Sequence, residues 1–255
     1  MNAYQNPNIF NSTPPVSRHI LIINILICLA CNVFKSLGFY LALFPVRSGY
    51  FHPYQLVTFM FTQTDFWHLA FNMFAVFMFG RVLENYWGVK KFLIYYMVCG
   101  IGSGLVQLLV CHLTGSYYPT IGASGAVFGI LLAFGMLFPN APLYLMFIPI
   151  PVKAKYLVIG YGLIELYMGF ANRAGDNVAH FAHLGGMLFG LIMILYWKKK
   201  DNHNIRFFRL NLFNKIKKST KKNEEIDRIL DKIKKSGYNC LSEEEKKKLF
   251  DASNR

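Results

Sequence analysis

Gly122-Ala123-Ser124-Gly125 sets one hydroxyl among residues too small to hide it. A serine becomes a useful nucleophile when a neighbouring base takes its proton. A neutral imidazole, with an ordinary pKa near 6.5, suits that task at physiological pH. The candidate base is His183, preceded by Ala182 and followed by Gly185, Gly186 and Gly190. His68 and Asn72 are spaced as one helical turn and carry donors for a developing oxyanion; a structural role, holding their helix to the neighbouring loops, is the other reading of that pair. A nucleophile, a base and oxyanion donors together make the chemistry of acyl transfer.

The elements that must position these groups are unusually apolar. The chain of 255 residues is 54% hydrophobic, with 24 Phe and 15 Tyr. Charge is concentrated at one end. Residues 198–255 hold 18 of the 27 basic and nine of the 13 acidic side chains. The composition therefore predicts a membrane domain followed by a basic tail. A lysine run straight after an apolar segment is an anchor on anionic lipid, so nucleic acid is not an expected partner. The five cysteines are odd in number and four lie in apolar runs, which argues against a disulfide framework. Cys28 and Cys31 read as packing. The first apolar run is long and without a clear cleavage site, so it is expected to stay as a span.

Six runs are long enough to cross a bilayer, near 19–39, 66–87, 92–112, 122–140, 155–172 and 178–197. Each is expected to be helical, because lipid offers the backbone no hydrogen-bond partner. Arg18, Lys90, Lys91, Lys153, Lys155 and Lys198 to Lys200 flank one side of these spans, while Arg47 and Arg173 lie in the opposite loops. That bias predicts a multi-pass protein with both termini cytoplasmic. The long first loop, about 40–65, is rich in aromatics and prolines and suits an interfacial segment. At about 1.5 Å per residue, Ser124, Asn72 and His183 all fall about 21–24 Å from one membrane face, so three helices bring polar groups to one depth. Gly125 and Gly129 on one helix, and Ala182, Gly186 and Gly190 on another, make small-residue stripes that allow close approach.

These motifs resemble those of the rhomboid intramembrane serine proteases. Gly122-Ala123-Ser124-Gly125 is similar to that family's G-x-S-G. Ala182-His183-Leu184-Gly185-Gly186 with Gly190 is similar to its A-H-x-x-G-x-x-x-G, and His68 to Asn72 to its H-x-x-x-N. The resemblance covers roughly residues 18–197. It implies an all-α membrane protein, a six-transmembrane-helix bundle, in which Ser124 is the nucleophile, His183 the base, and His68 and Asn72 support the oxyanion. It implies membrane-anchored protein substrates cut in or near a spanning helix. The fifth span and the loop above it, residues 172–178, would gate entry. Two departures stand out. Tyr54-Gln55 occupies the place of the family's Trp-Arg in the first loop, and Phe128 stands one turn after the serine, where an aromatic packs on the histidine.

The expected organisation is an N-terminal cytoplasmic segment 1–17, a six-span domain 18–197 and a basic, helical cytoplasmic tail 198–255. In the tail, residues 206–222 read as interfacial and 223–236 as an amphipathic helix. Ser242 with Glu245 reads as a capping box. The expected location is a bacterial inner membrane. No cofactor or metal is expected; a site of His68, His180 and His183 is the conceivable alternative. The pattern G-x-S-x-G is not met, since Ala126 takes its last place, and no H-E-x-x-H occurs. Glu84 is expected to cap or tie neighbouring elements. Glu165 is left between a buried hydrogen-bonding role and a gating one. The rival reading is a catalytically silent scaffold that binds membrane proteins. A transporter, marked by broken helices in matched repeats, is a third.

Overall fold

The computed structural model describes residues 13–145, 148–171, 179–200 and 242–245. The chain divides into two compact units, residues 1–195 and 196–255. The first is built from α1 (Pro15–Val33), α2 (Lys35–Leu41), a short α3 (Gln55–Thr58), α4 (Phe66–Trp87), α5 (Val89–Thr114), α6 (Ser124–Leu137), a hairpin of β1 (Pro142–Leu145) and β2 (Ile148–Lys153), α7 (Ala154–Ala171) and α8 (His180–Lys200), whose last residues enter the second unit. The described residues are mostly helical. Among the described residues four helices, α1, α4, α5 and α8, are long and apolar enough to cross a membrane. α6 is apolar but shorter, at 14 residues. α7 has 18 residues and carries Lys155 and Glu165.

The expectation of helices alone needs one amendment. Pro142–Leu145 and Ile148–Lys153 pair antiparallel, with Pro142 opposite Lys153. Pro142, Pro149 and Pro151 suit this better than helix, because proline lacks the N–H that a helix interior uses. The first span also ends earlier than expected. α1 stops at Val33, Phe34 leaves helical geometry, and Lys35–Leu41 forms a separate turn of helix.

Large apolar side chains point outward: Leu26 and Leu29 on α1, Phe71 and Phe74 on α4, Leu109 on α5 and Ile192 on α8 are all exposed. That is how a bundle facing lipid should look, since lipid is as apolar as leucine. Association must then come from close packing and internal hydrogen bonds. α6 shows both. A Cβ on Gly129 would lie 3.2 Å from the Gly186 carbonyl oxygen of α8, and one on Gly186 would lie 2.6 Å from the carbonyl carbon of Gly125. The buried Tyr95 hydroxyl of α5 donates to the Gly129 carbonyl at 2.8 Å. The stripes on α6 and α8 thus let two backbones touch.

Glu84 performs the capping role expected of it. Its buried carboxylate accepts from the Val16 and Ser17 amides of α1 at 2.8 and 2.7 Å and from the Ser17 hydroxyl at 2.7 Å. A carboxylate at a helix N-terminus satisfies orphan donors and complements the dipole.

The first loop is tied to the start of α6. Leu43 and Thr120 exchange backbone hydrogen bonds at 2.9 Å, and the Gly122 amide donates to the Phe59 carbonyl at 2.9 Å. Gln55 pins the loop from inside. It is buried, its Oε1 accepts from the Phe44 and His52 amides, each at 3.2 Å, and its Nε2 donates to the Tyr50 carbonyl at 2.9 Å. The departure from Trp-Arg thus leaves a side chain whose polar atoms are engaged by the loop's own backbone. Tyr50, Tyr54 and Val57 remain exposed, as an interfacial segment requires.

In the second unit the Ser242–Glu245 capping box is present: the Glu245 carboxylate accepts from the Ser242 amide at 2.8 Å and the Ser242 hydroxyl from the Glu245 amide at 3.3 Å. The tail segments 206–222 and 223–236 lie outside the described residues.

Candidate active site

Ser124 is the first residue of α6, after Ala123, which offers no capping side chain. The first amides of a helix have no partner within it, and they form the positive end of its dipole. The chain reaches this point through Gly122, whose φ of 124° disfavours any side chain. Space demands glycine too, because a Cβ there would lie 2.6 Å from Cε1 of His68. The approach to Ser124 is therefore a backbone path moulded against the His68 ring.

His183 lies on the first turn of α8, and its Nε2 is 2.8 Å from Ser124 Oγ. Its ring is 8% exposed by residue and stacks on Phe128, with centroids 4.4 Å apart and planes 8° from parallel. Phe128 in turn meets Tyr161 of α7 edge-on. The ring therefore has its plane fixed by one neighbour and one edge aimed at the serine.

Its other edge meets a group that sequence reasoning left unassigned. Nδ1 of His183 is 2.8 Å from Oε2 of Glu165 on α7, and Nδ1 of His180 is 2.7 Å from the same oxygen. Glu165 is buried at 8% exposure. Two signals pointed here. An acid inside a span requires a partner, and His180 and His183 are three apart, on one helical face. Which helix faces that pair is a tertiary fact, and it was the missing step.

His68 lies in the first turn of α4, where Asp65 caps the helix by accepting from the His68 amide at 2.8 Å. Asn72, one turn on, is buried and donates from Nδ2 to Oε1 of Gln63 at 2.8 Å, while Gln63 Nε2 donates to Oδ1 of Asn24 on α1 at 2.8 Å. The structure thus joins Ser124 to His183 directly and sets His68 against Gly122. It places Asn72 in an amide chain running to α1.

Glu165, His180 and His183 also form the one group among the described residues whose ligand atoms lie close enough to hold a metal, all within 4.8 Å of one another. His68 is not part of it. The N···O contacts of 2.7 and 2.8 Å have the length of charge-assisted hydrogen bonds. Ligand atoms around a tetrahedral zinc, with bonds near 2.0–2.1 Å, stand about 3.3 Å apart.

The rhomboid domain model matches residues 50–200. The chain belongs to the rhomboid family. Residues 212–255 match a second model, a family of unknown function. The chain is 35% identical over 141 residues to Rhomboid protein 1, mitochondrial, of Saccharomyces cerevisiae, covering 54% of this chain and 40% of that one. It is 30% identical over 150 residues to the Presenilin-associated rhomboid-like protein, mitochondrial, of Rattus norvegicus, covering 55% and 38%. It is 29% identical over 192 residues to Rhomboid-like protein 11, chloroplastic, of Arabidopsis thaliana, covering 69% and 62%. The matches thus span less than two thirds of these relatives' length. They also correct one expectation. The expected location is a bacterial inner membrane, whereas these relatives are named for mitochondria and chloroplasts. Charge bias reports which side of a membrane a loop faces and carries no information about which membrane it is.

Proposed function

We propose that this rhomboid-family chain is an intramembrane serine endopeptidase of an organellar membrane, cutting membrane-anchored proteins in or near their spanning segments with Ser124 and His183. The observation that carries the reading is the 2.8 Å contact between Ser124 Oγ and His183 Nε2, in a ring held by Phe128. In this reading α1, α4, α5, α6, α7 and α8 are six spans. Residues 18–197 form the protease domain, flanked by segments 1–17 and 198–255. α7 is the entry gate. Of its 18 residues it buries Ala154, Val158 and Glu165 and turns Tyr156, Leu163, Tyr167 and Phe170 outward.

The reaction proceeds by acyl transfer. Ser124 Oγ attacks the scissile carbonyl carbon as its proton passes to His183 Nε2. The C=O π pair moves onto oxygen. That oxyanion lies beside the first amides of α6 and the His68 ring. Asn72 has two amide hydrogens, of which Gln63 takes one, and this reading assigns the second to the oxyanion. His183 then gives its proton to the departing amide nitrogen as the C–N bond breaks. Water, deprotonated by His183, releases the new carboxyl end and restores Ser124.

The test is cleavage of single-span reporter proteins by the full chain in liposomes, beside Ser124→Ala and His183→Ala. Cleavage lost in both variants supports the proposal. Cleavage that survives in both overturns it. Reporter binding with no cleavage by the wild type favours the silent scaffold.

A further inference from the structure

We infer that Glu165 is the third member of a Ser124–His183–Glu165 relay, a positioning residue whose carboxylate is itself held by His180. This rests on the reading of Ser124 and His183 as nucleophile and base.

The geometry fixes the hydrogens. An ionised carboxylate only accepts, so His183 must donate from Nδ1 across the 2.8 Å contact. A neutral imidazole has one N–H, and with Nδ1 protonated its lone pair lies at Nε2. That lone pair faces Ser124 Oγ at 2.8 Å, and the serine O–H donates to it. Glu165 thereby selects the tautomer that can act as a base. When the serine proton moves to Nε2, the imidazolium forms beside a negative oxygen in a site where water screens little. Among the described residues, the polar groups around the ring are Ser124 of α6, Glu165 of α7, His180 of α8 and His68 of α4, with Phe128 covering its face. Glu165 is the one anion among them.

His180 has a matching role. Its Nδ1 donates to the same Oε2 at 2.7 Å, so the oxygen sits between two imidazoles of one helix face. A carboxylate on a flexible stem is thus held in a single position. The acid comes from α7 and both donors from α8, so the arrangement also pins the two helices at the level of the chemistry.

The test uses the full chain in phosphatidylcholine vesicles, a fluorophosphonate probe that needs no natural substrate, and the variants E165A, E165Q, E165D and H180N. The maximal labelling rate should fall about 10²-fold or more in E165A, by analogy with loss of a triad acid. The probe's half-saturating concentration should stay within about twofold, because Glu165 does not touch the probe. E165Q keeps an acceptor and loses the charge, so it should fall between wild type and E165A. E165D should recover most of the rate. H180N should cost about tenfold by loosening the carboxylate. Should E165A fail to fold, the near-isosteric E165Q decides alone. Wild-type labelling in E165Q, or losses in every variant that merely follow a lowered melting temperature, would overturn the inference. S124A and H183A run in parallel. Labelling that survives in them, or is missing from the wild type, removes the nucleophile–base reading itself. Labelling lost in both yet intact in E165Q removes only the relay.

Discussion

Gly186→Ala tests how closely catalysis depends on helix contact. A Cβ at Gly186 would lie 2.6 Å from the Gly125 carbonyl carbon and nearer still to its oxygen. Carbon atoms in comfortable contact stand about 3.5–4.0 Å apart, so α6 and α8 must separate by about 1 Å. The obstacle is backbone, which has no rotamer to yield. Ser124 and His183 adjoin this contact on the same two helices. Their 2.8 Å hydrogen bond would open to about 3.8 Å, beyond the range in which such a bond survives. Misplacement of about 1 Å costs on the order of 10²-fold in rate. The assay is fluorophosphonate labelling in vesicles, with thermal unfolding on the same samples. Gly160→Ala is the control, since a Cβ there meets nothing within 4 Å. Labelling within about threefold of wild type in Gly186→Ala would show that the contact does not set the serine–histidine distance, and would refute the reasoning.

Glu84→Ala removes one buried acceptor from three donors of α1 and should cost about 2–4 kcal/mol of stability, read as a lowered melting temperature with the labelling rate of the folded fraction unchanged. Gln55→Arg strands the Phe44 and His52 amides and should destabilise the protein by a similar margin of about 2–4 kcal/mol, despite bringing the loop closer to the family pattern. Gly122→Ala combines a φ of 124° with overlap on His68, so labelling should fall more steeply than stability. A chelator should leave labelling unchanged, since the Glu165 contacts have hydrogen-bond lengths; a rate that falls with chelator and returns with zinc would mean that Glu165, His180 and His183 serve a metal instead.

Composition reveals the membrane domain, because a segment facing lipid must be apolar throughout and this is visible without any alignment of faces. Helix limits are harder. The early end of α1 turns on Phe34, whose residue type does not disfavour helix; the chain leaves helical geometry there and resumes it at once in α2. The hairpin Pro142–Lys153 was hidden for a different reason. Its residues are apolar like the spans on either side, and only the prolines distinguish it. Small residues were the most reliable guide to contact. Gly125, Gly129 and Gly186 point to an approach of two helices, and Gly186 does meet the Gly125 backbone; Cβ atoms on Gly125 and Gly129 would strike Ser103 and Cys99 of α5 first, a third neighbour the stripes do not announce.

Residue type singles out Ser124 and His183 as candidates, because a hydroxyl and an imidazole inside spans have few uses and their motifs are specific, and the fold brings the two within 2.8 Å. Asn72 shows the limit of that logic. Its amide was legible as a donor, but its engagement with Gln63 was not, since nothing in the sequence says that the first loop turns Gln63 inward. The acids carry the last lesson. Residues 1–197 contain four of them, and three lie in described parts of the chain. Asp65 caps α4, Glu84 caps α1 from a distance, and Glu165 joins His180 and His183. An anion in lipid is costly unless it is bonded, so each is an address whose partner must exist. The sequence gives every address and withholds the pairing, because pairing depends on which helix lies beside which. While Glu165 has no assigned neighbour, the residue types offer a nucleophile and a base and no third member. Beside two histidines of α8, it becomes the residue that decides which nitrogen of His183 faces the serine.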